Sequence, residues 1–146
     1  MNKPTQILPA VAAAIFNDKG QILLQKRQDV NKWCIISGHV EFGETIEEAI
    51  LREIEEETNV GGNIKRFIGV YSSPPYQTYD YEDRTVQYVT SYFEVELISP
   101  VDTDFENNET QELRYFDVEE IPENFARINP FWLQDALSRD EKAFVR

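Results

Sequence analysis

The chain has 146 residues, 41% of them hydrophobic, and a formal net charge of −13. That length and apolar content suit one domain with its own core, and the acidic balance repels polyanions, which argues against a DNA- or RNA-binding surface. The single cysteine, Cys34, excludes an internal disulfide and fits a reducing cytoplasm, where its expected role is a small buried hydrophobe beside Trp33.

Residues 8–16 are apolar enough to be mistaken for a secretion signal, but one Lys precedes them and a turn follows directly, so they read as a buried strand. No stretch reaches the roughly 20 apolar residues of a membrane span, and a soluble, cytoplasmic protein is expected. The first long strand is expected over residues 11–17, with a turn at Asp18-Lys19-Gly20 and an antiparallel return over 21–27. After a polar loop, residues 33–36 form a short strand that delivers Ser37-Gly38 to a helix.

That helix is marked by a capping box, Thr45 with Glu48, and runs to about Thr58, where Asn59, Gly61 and Gly62 stop it. On a helical wheel with Ile46 at zero, Ala49, Ile50 and Ile54 form one apolar stripe. Glu53 and Glu57 fall inside the same stripe, Glu56 lies at its edge, and Glu47, Glu48 and Glu55 point away. An acidic helix is ordinarily a solvated face, but here the phase carries Glu53 and Glu57 toward low dielectric as a like-charged i, i+4 pair. Three glutamates in the last turn also oppose the helix dipole. A bound divalent cation relieves all three conflicts, and clustered carboxylates without Cys or a second His suit Mg²⁺ or Mn²⁺ rather than zinc.

Further strands are expected over residues 64–73, 85–98 and 113–118, with a second helix over 129–139. Between the first two lies a loop rich in tyrosine. Helices with mixed strands and no linker give an α/β layered sandwich in a single domain over residues 1–146.

Gly38, five residues, Glu44, seven residues, Arg52-Glu53-Ile54, one residue, Glu56-Glu57, one residue and Asn59-Val60 resemble the Nudix box, G-x5-E-x7-R-E-U-x-E-E-x-G-U with U aliphatic. Each fixed position agrees except the last glycine, here Asn59, which tolerates the left-handed conformation that closes a helix better than most residues. The resemblance implies an α/β/α sandwich with a mixed sheet and a metal-dependent hydrolysis of phosphoanhydrides in small nucleotides. It implies metal ligation by Glu53, Glu56, Glu57 and the Gly38 carbonyl. Glu44 becomes a structural carboxylate, and Arg52, within reach of Glu48 and Glu56, an orienting cation. In many members a glutamate on the loop before a late strand adds a ligand or base. Glu109 and Glu112 occupy that region, with Glu109 preferred, although a solvated loop fits the same residues.

Arg27 is either a phosphate contact, by analogy, or an ordinary edge cation. His39, without a partner for zinc, is a loop residue beside the site with at most a secondary substrate contact. Tyr71, Tyr76, Tyr79 and Tyr81 can either stack on a base or pack against their own strands. Pro75 stands about where ADP-ribose hydrolases of this family tend to carry a proline, and it is also ordinary turn chemistry. The expected activity is therefore Mg²⁺- or Mn²⁺-dependent cleavage of a nucleoside diphosphate linked to another moiety, of ADP-ribose or nucleotide-sugar type. A nucleoside triphosphate pyrophosphatase and a non-catalytic nucleotide sensor are the alternatives, and monomer or homodimer stays open.

Overall fold

Alternation along β1 (Thr5–Ile15) divides the molecule into layers. Val11, Ala13 and Ile15 face one core with Ala49, Ile50 and Ile54, whereas Ala12 and Ala14 face a second core with Tyr71, Tyr92, Trp132 and Ala136. The computed structural model describes residues 3–146, so the first two residues of the expected 1–146 domain lie outside the described residues. Next come β2 (Ile22–Arg27), β3 (Trp33–Cys34), β4 (Ile36–His39) and helix α1 (Ile46–Thr58). The chain continues through β5 (Gly62–Tyr71), α2 (Pro74–Gln77), β6 (Thr78–Asp80), β7 (Thr85–Leu97), β8 (Thr110–Phe116), α3 (Trp132–Leu137) and β9 (Phe144–Val145).

The larger sheet runs β4-β1-β7-β5-β9, with β6 also on β7, and the smaller one runs β3-β2-β8. β1 and β7 pair in parallel from Thr5↔Thr85 to Ile15↔Val95, as do β5 and β9, while β4 is antiparallel to β1 and β5 to β7, so the larger sheet is mixed. Helix α1 covers one face of it and α3 the other, which is the layered α/β sandwich expected from the element pattern.

Three expectations need correction. The return strand does not form a hairpin with β1: after one antiparallel bridge, Phe16↔Ile22, β2 leaves to pair with β3 and β8. A strand has two edges, and those of β1 are taken by β4 and β7. Likewise residues 33–36 are not one strand. Cys34 ends β3 in the small sheet, Ile36 begins β4 in the large one, and Ile35 is the crossing. The last helix is also shorter than expected, because Pro130 lies within the 129–139 segment and regular helix begins only at Trp132.

Candidate active site

Helix α1 begins as its sequence dictates. Thr45 Oγ1 accepts from the Glu48 amide and the Glu48 carboxylate accepts from the Thr45 amide, closing the capping box. It ends at Asn59, whose left-handed backbone (φ 61°, ψ 24°) donates its N–H to the Glu55 carbonyl. Ala49, Ile50 and Ile54 are fully buried on this face, and the acidic residues that continue it follow them inward. Glu57 is only 6% exposed and Glu53 is largely buried, whereas the Glu56 side chain is 49% exposed.

The loop before β8 brings Glu109 to the same place. One carboxylate oxygen from each of Glu53, Glu57 and Glu109 lies within 4.8 Å of the others. Gly38, on β4, leaves room for this arrangement: a Cβ there would stand 2.1 Å from the carboxyl carbon of Glu53. The Glu53 carboxylate therefore rests directly on strand backbone. Glu57 Oε2 is buried without a hydrogen-bond partner, and burial, then the neighbouring Glu53, push the Glu57 carboxyl from an ordinary 4.5 up to about 9. Burial also raises Glu53, opposed by Arg52. Three hard oxygen donors, one of them an orphaned buried oxygen, fit a divalent cation of the Mg²⁺ or Mn²⁺ kind.

Arg52 ties the box together. Its Nε and Nη2 donate to both oxygens of Glu44 at 2.6 and 3.0 Å, Nη1 donates to Glu53 at 3.0 Å and Glu56 at 3.2 Å, and Nη2 reaches the His39 carbonyl at 3.0 Å. The expected contact with Glu48 is not made, because Glu48 is committed to the helix cap. Glu56 thus meets the guanidinium rather than the carboxylate trio.

The trio closes one end of a cleft of about 500 Å³. Arg27, His39, Tyr79, Tyr81 and Tyr88 line it, together with Phe125 and Arg127. Arg27 is held by Asp29, His39 stacks on Tyr88 at 5.1 Å, and Arg127 lies 5.3 Å over the Tyr79 ring. Two of the tyrosines singled out from the sequence stand elsewhere. Tyr71 is buried with its hydroxyl on Asp135, and Tyr76, in α2, does not border the cleft. Tyr88, Phe125 and Arg127 were not anticipated. The alternation of β7, which buries Val86 and Tyr88 together, was the available signal for Tyr88. Phe125 and Arg127 sit in a segment without regular periodicity, brought in by the Trp33 bridge to Phe125.

The chain is thus an α/β sandwich whose carboxylate cluster shares a cleft with several aromatic side chains. The family model described as NUDIX domain matches residues 7–135, and the chain belongs to the Nudix family. An ADP-ribose pyrophosphatase of Methanocaldococcus jannaschii is 44% identical over 70 residues, 45% of this chain and 41% of that protein. An RNA pyrophosphohydrolase of Mannheimia succiniciproducens is 36% identical over 80 residues, 55% of this chain and 40% of that protein. The matches thus span about two fifths of these curated relatives. A crystal structure of a UDP-X diphosphatase superposes with a TM-score of 0.73 at 28% identity, covering 92% of this chain and 62% of that one. Among the described residues no helix is long and apolar enough to cross a membrane.

Proposed function

We propose that this chain is a single-domain, cytoplasmic, divalent-metal-dependent hydrolase that cleaves the phosphoanhydride of a nucleoside diphosphate linked to another moiety. The observation that carries the reading is the convergence of Glu53, Glu57 and Glu109, with one buried Glu57 oxygen left without a partner, in a cleft that aromatic side chains also line. Glu53, Glu57, Glu109 and the Gly38 carbonyl would hold Mg²⁺ or Mn²⁺, with Glu56 beside them on Arg52. When bound, the cation neutralises phosphate charge and offsets the repulsion among the carboxylates. Arg52 fixes the rotamers of Glu44, Glu53 and Glu56. Glu109, the solvent-exposed member of the trio, is the carboxylate free to take a proton from water. Arg27 faces the phosphates, and Tyr79, with His39 nearby, faces the base or the second moiety.

The diphosphate-linked class is supported by the ADP-ribose and UDP-X activities named for two of the similar proteins, and the triphosphate alternative by a Bacillus subtilis relative, 46% identical over 63 residues, whose name is "Putative 8-oxo-dGTP diphosphatase". The net charge of −13 disfavours an RNA chain, the substrate named for another. The test is a hydrolysis screen over ADP-ribose, nucleotide sugars, dinucleotides and nucleoside triphosphates, with Mg²⁺, with Mn²⁺ and with chelator. Cleavage of a diphosphate-linked substrate into two phosphorylated products, abolished by chelator, is expected. Preference for triphosphates would make it a pyrophosphatase, and nucleotide binding without turnover a sensor. Undiminished turnover after exhaustive chelation would overturn the role of the metal.

A further inference from the structure

The last four carbonyls of an α-helix have no partner within the helix, and a side chain that reaches one of them ties its own segment to the helix end. Asn107 does this for α1. Its Nδ2 donates to the Glu56 carbonyl at 2.9 Å, and its Oδ1 accepts from the amides of Glu109 at 2.9 Å and Thr110 at 2.7 Å. One planar amide therefore joins the helix turn that bears Glu53, Glu56 and Glu57 to the backbone of Glu109 itself. Beside it, the buried Thr110 hydroxyl donates to the Glu57 carbonyl at 2.9 Å and accepts from Gln25 Nε2 at 2.8 Å. On the outer side, the Gln28 amide donates to the Glu109 carbonyl at 3.0 Å. Glu109 is exposed and its side chain makes no hydrogen bond of its own, so its place in the trio is set by its backbone.

We propose that Asn107 is a positioning residue whose amide carries Glu109 into the carboxylate trio, so that metal affinity depends on a residue that touches neither metal nor substrate. This rests on the reading of Glu53, Glu57 and Glu109 as a cation site. The role needs an amide. Asp at 107 keeps the acceptor for Glu109 and Thr110 but loses the donor to Glu56 and sets a carboxylate against a helix C-terminus, and Leu loses both functions.

The test is calorimetric titration of Mn²⁺ into the wild type, Glu109→Gln, Asn107→Leu, Asn107→Asp and the double variant Asn107→Leu/Glu109→Gln, with far-UV dichroism in chelator as the fold control. Glu109→Gln and Asn107→Leu should each weaken Mn²⁺ binding roughly 10- to 100-fold, the scale of lost ligand-orienting contacts, and Asn107→Asp should fall between Leu and wild type. The double variant should bind no more weakly than Glu109→Gln alone, because both changes remove the same ligand. A merely structural Asn107 would instead give losses that multiply. Should Asn107→Leu fail to fold, the same cycle with Asn107→Asp decides the matter. Wild-type affinity in the folded Asn107 variants, or multiplied losses in the double variant, would overturn the proposal while leaving the cation site standing. Absence of Mn²⁺ binding by the wild type would overturn both.

Discussion

The two ends of the cleft are built on opposite principles. At the acidic end, Glu53 and Glu57 are pressed together on a helix face that should be apolar, and Glu57 keeps a buried oxygen without a partner. At the aromatic end most groups pair with one another: Tyr81 and Tyr88 share a hydroxyl hydrogen bond at 2.9 Å, His39 stacks on Tyr88, and Arg127 caps Tyr79. The exception is Arg84, whose guanidinium carbon lies 5.5 Å over the Tyr81 ring and whose Nε is buried without a hydrogen-bond partner. On the proposed reading, the crowding of buried carboxylates is what a cation would relieve, whereas paired aromatic groups would accommodate a ligand without needing one. Substitutions at the two ends should accordingly fail in different ways.

The largest effect is expected from Glu57→Gln, which should lower kcat by at least roughly 10²-fold, whereas Glu55→Gln on the opposite face should change it little. Steady-state kinetics at saturating Mg²⁺ checks this, and equal behaviour of the two variants would break the distinction between faces. Next comes Gly38→Ala. Its Cβ would displace the Glu53 carboxylate, so Mn²⁺ affinity by calorimetry should fall roughly 10- to 100-fold while the fold persists. At the aromatic end, Tyr79→Ala should raise KM about 5- to 10-fold and leave kcat near the wild-type value, as loss of uniform binding requires. A kcat defect there would erase the contrast between the ends.

A subtler effect concerns pH. Because folding raises the Glu57 carboxyl from 4.5 to about 9, the folded state favours its protonated form. In chelator this contribution is fully present below pH 4.5 and is lost as pH rises through about 9. The Tm of the chelated wild type should therefore drift down across that window relative to Glu57→Gln, and parallel curves would contradict the buried pair. The smallest effect is expected at the departure from the family motif. Asn59 already holds the left-handed conformation and uses only its backbone N–H, so Asn59→Gly should shift stability by less than about 0.5 kcal/mol, read as Tm.

This contrast also governs what could be read from the sequence. The helical part of the acidic end is local: a capping box, a left-handed cap and a helical phase place Glu53 and Glu57 without knowledge of the rest of the chain, whereas Glu109, brought in by the loop before β8, was indicated only by the family resemblance. Even there, Glu48 shows the limit, since it suited Arg52 by spacing but was taken by Thr45, and Arg52 turned to Glu44 instead. The aromatic end depends on long-range pairing. Tyr88 enters because β7 aligns with β1, and Phe125 and Arg127 enter because their segment bridges to Trp33. The strand that leaves β1 for the smaller sheet was missed for the same reason, because edge occupancy belongs to the whole sheet and not to the turn that precedes the strand.

The central claim is that the carboxylates crowd together because a cation completes them, and thermal unfolding of the wild type and Glu57→Gln, each in chelator and in Mg²⁺, tests it most directly. In chelator at neutral pH the variant should be as stable as the wild type or slightly more so, because Glu57 must take up a proton to be buried beside Glu53 and Gln need not. In Mg²⁺ the order should reverse, because the wild type gains RT ln(1 + [L]/Kd) through binding to the folded state and the variant gains less. A wild type that Mg²⁺ fails to stabilise, or a variant that gains as much, would contradict it.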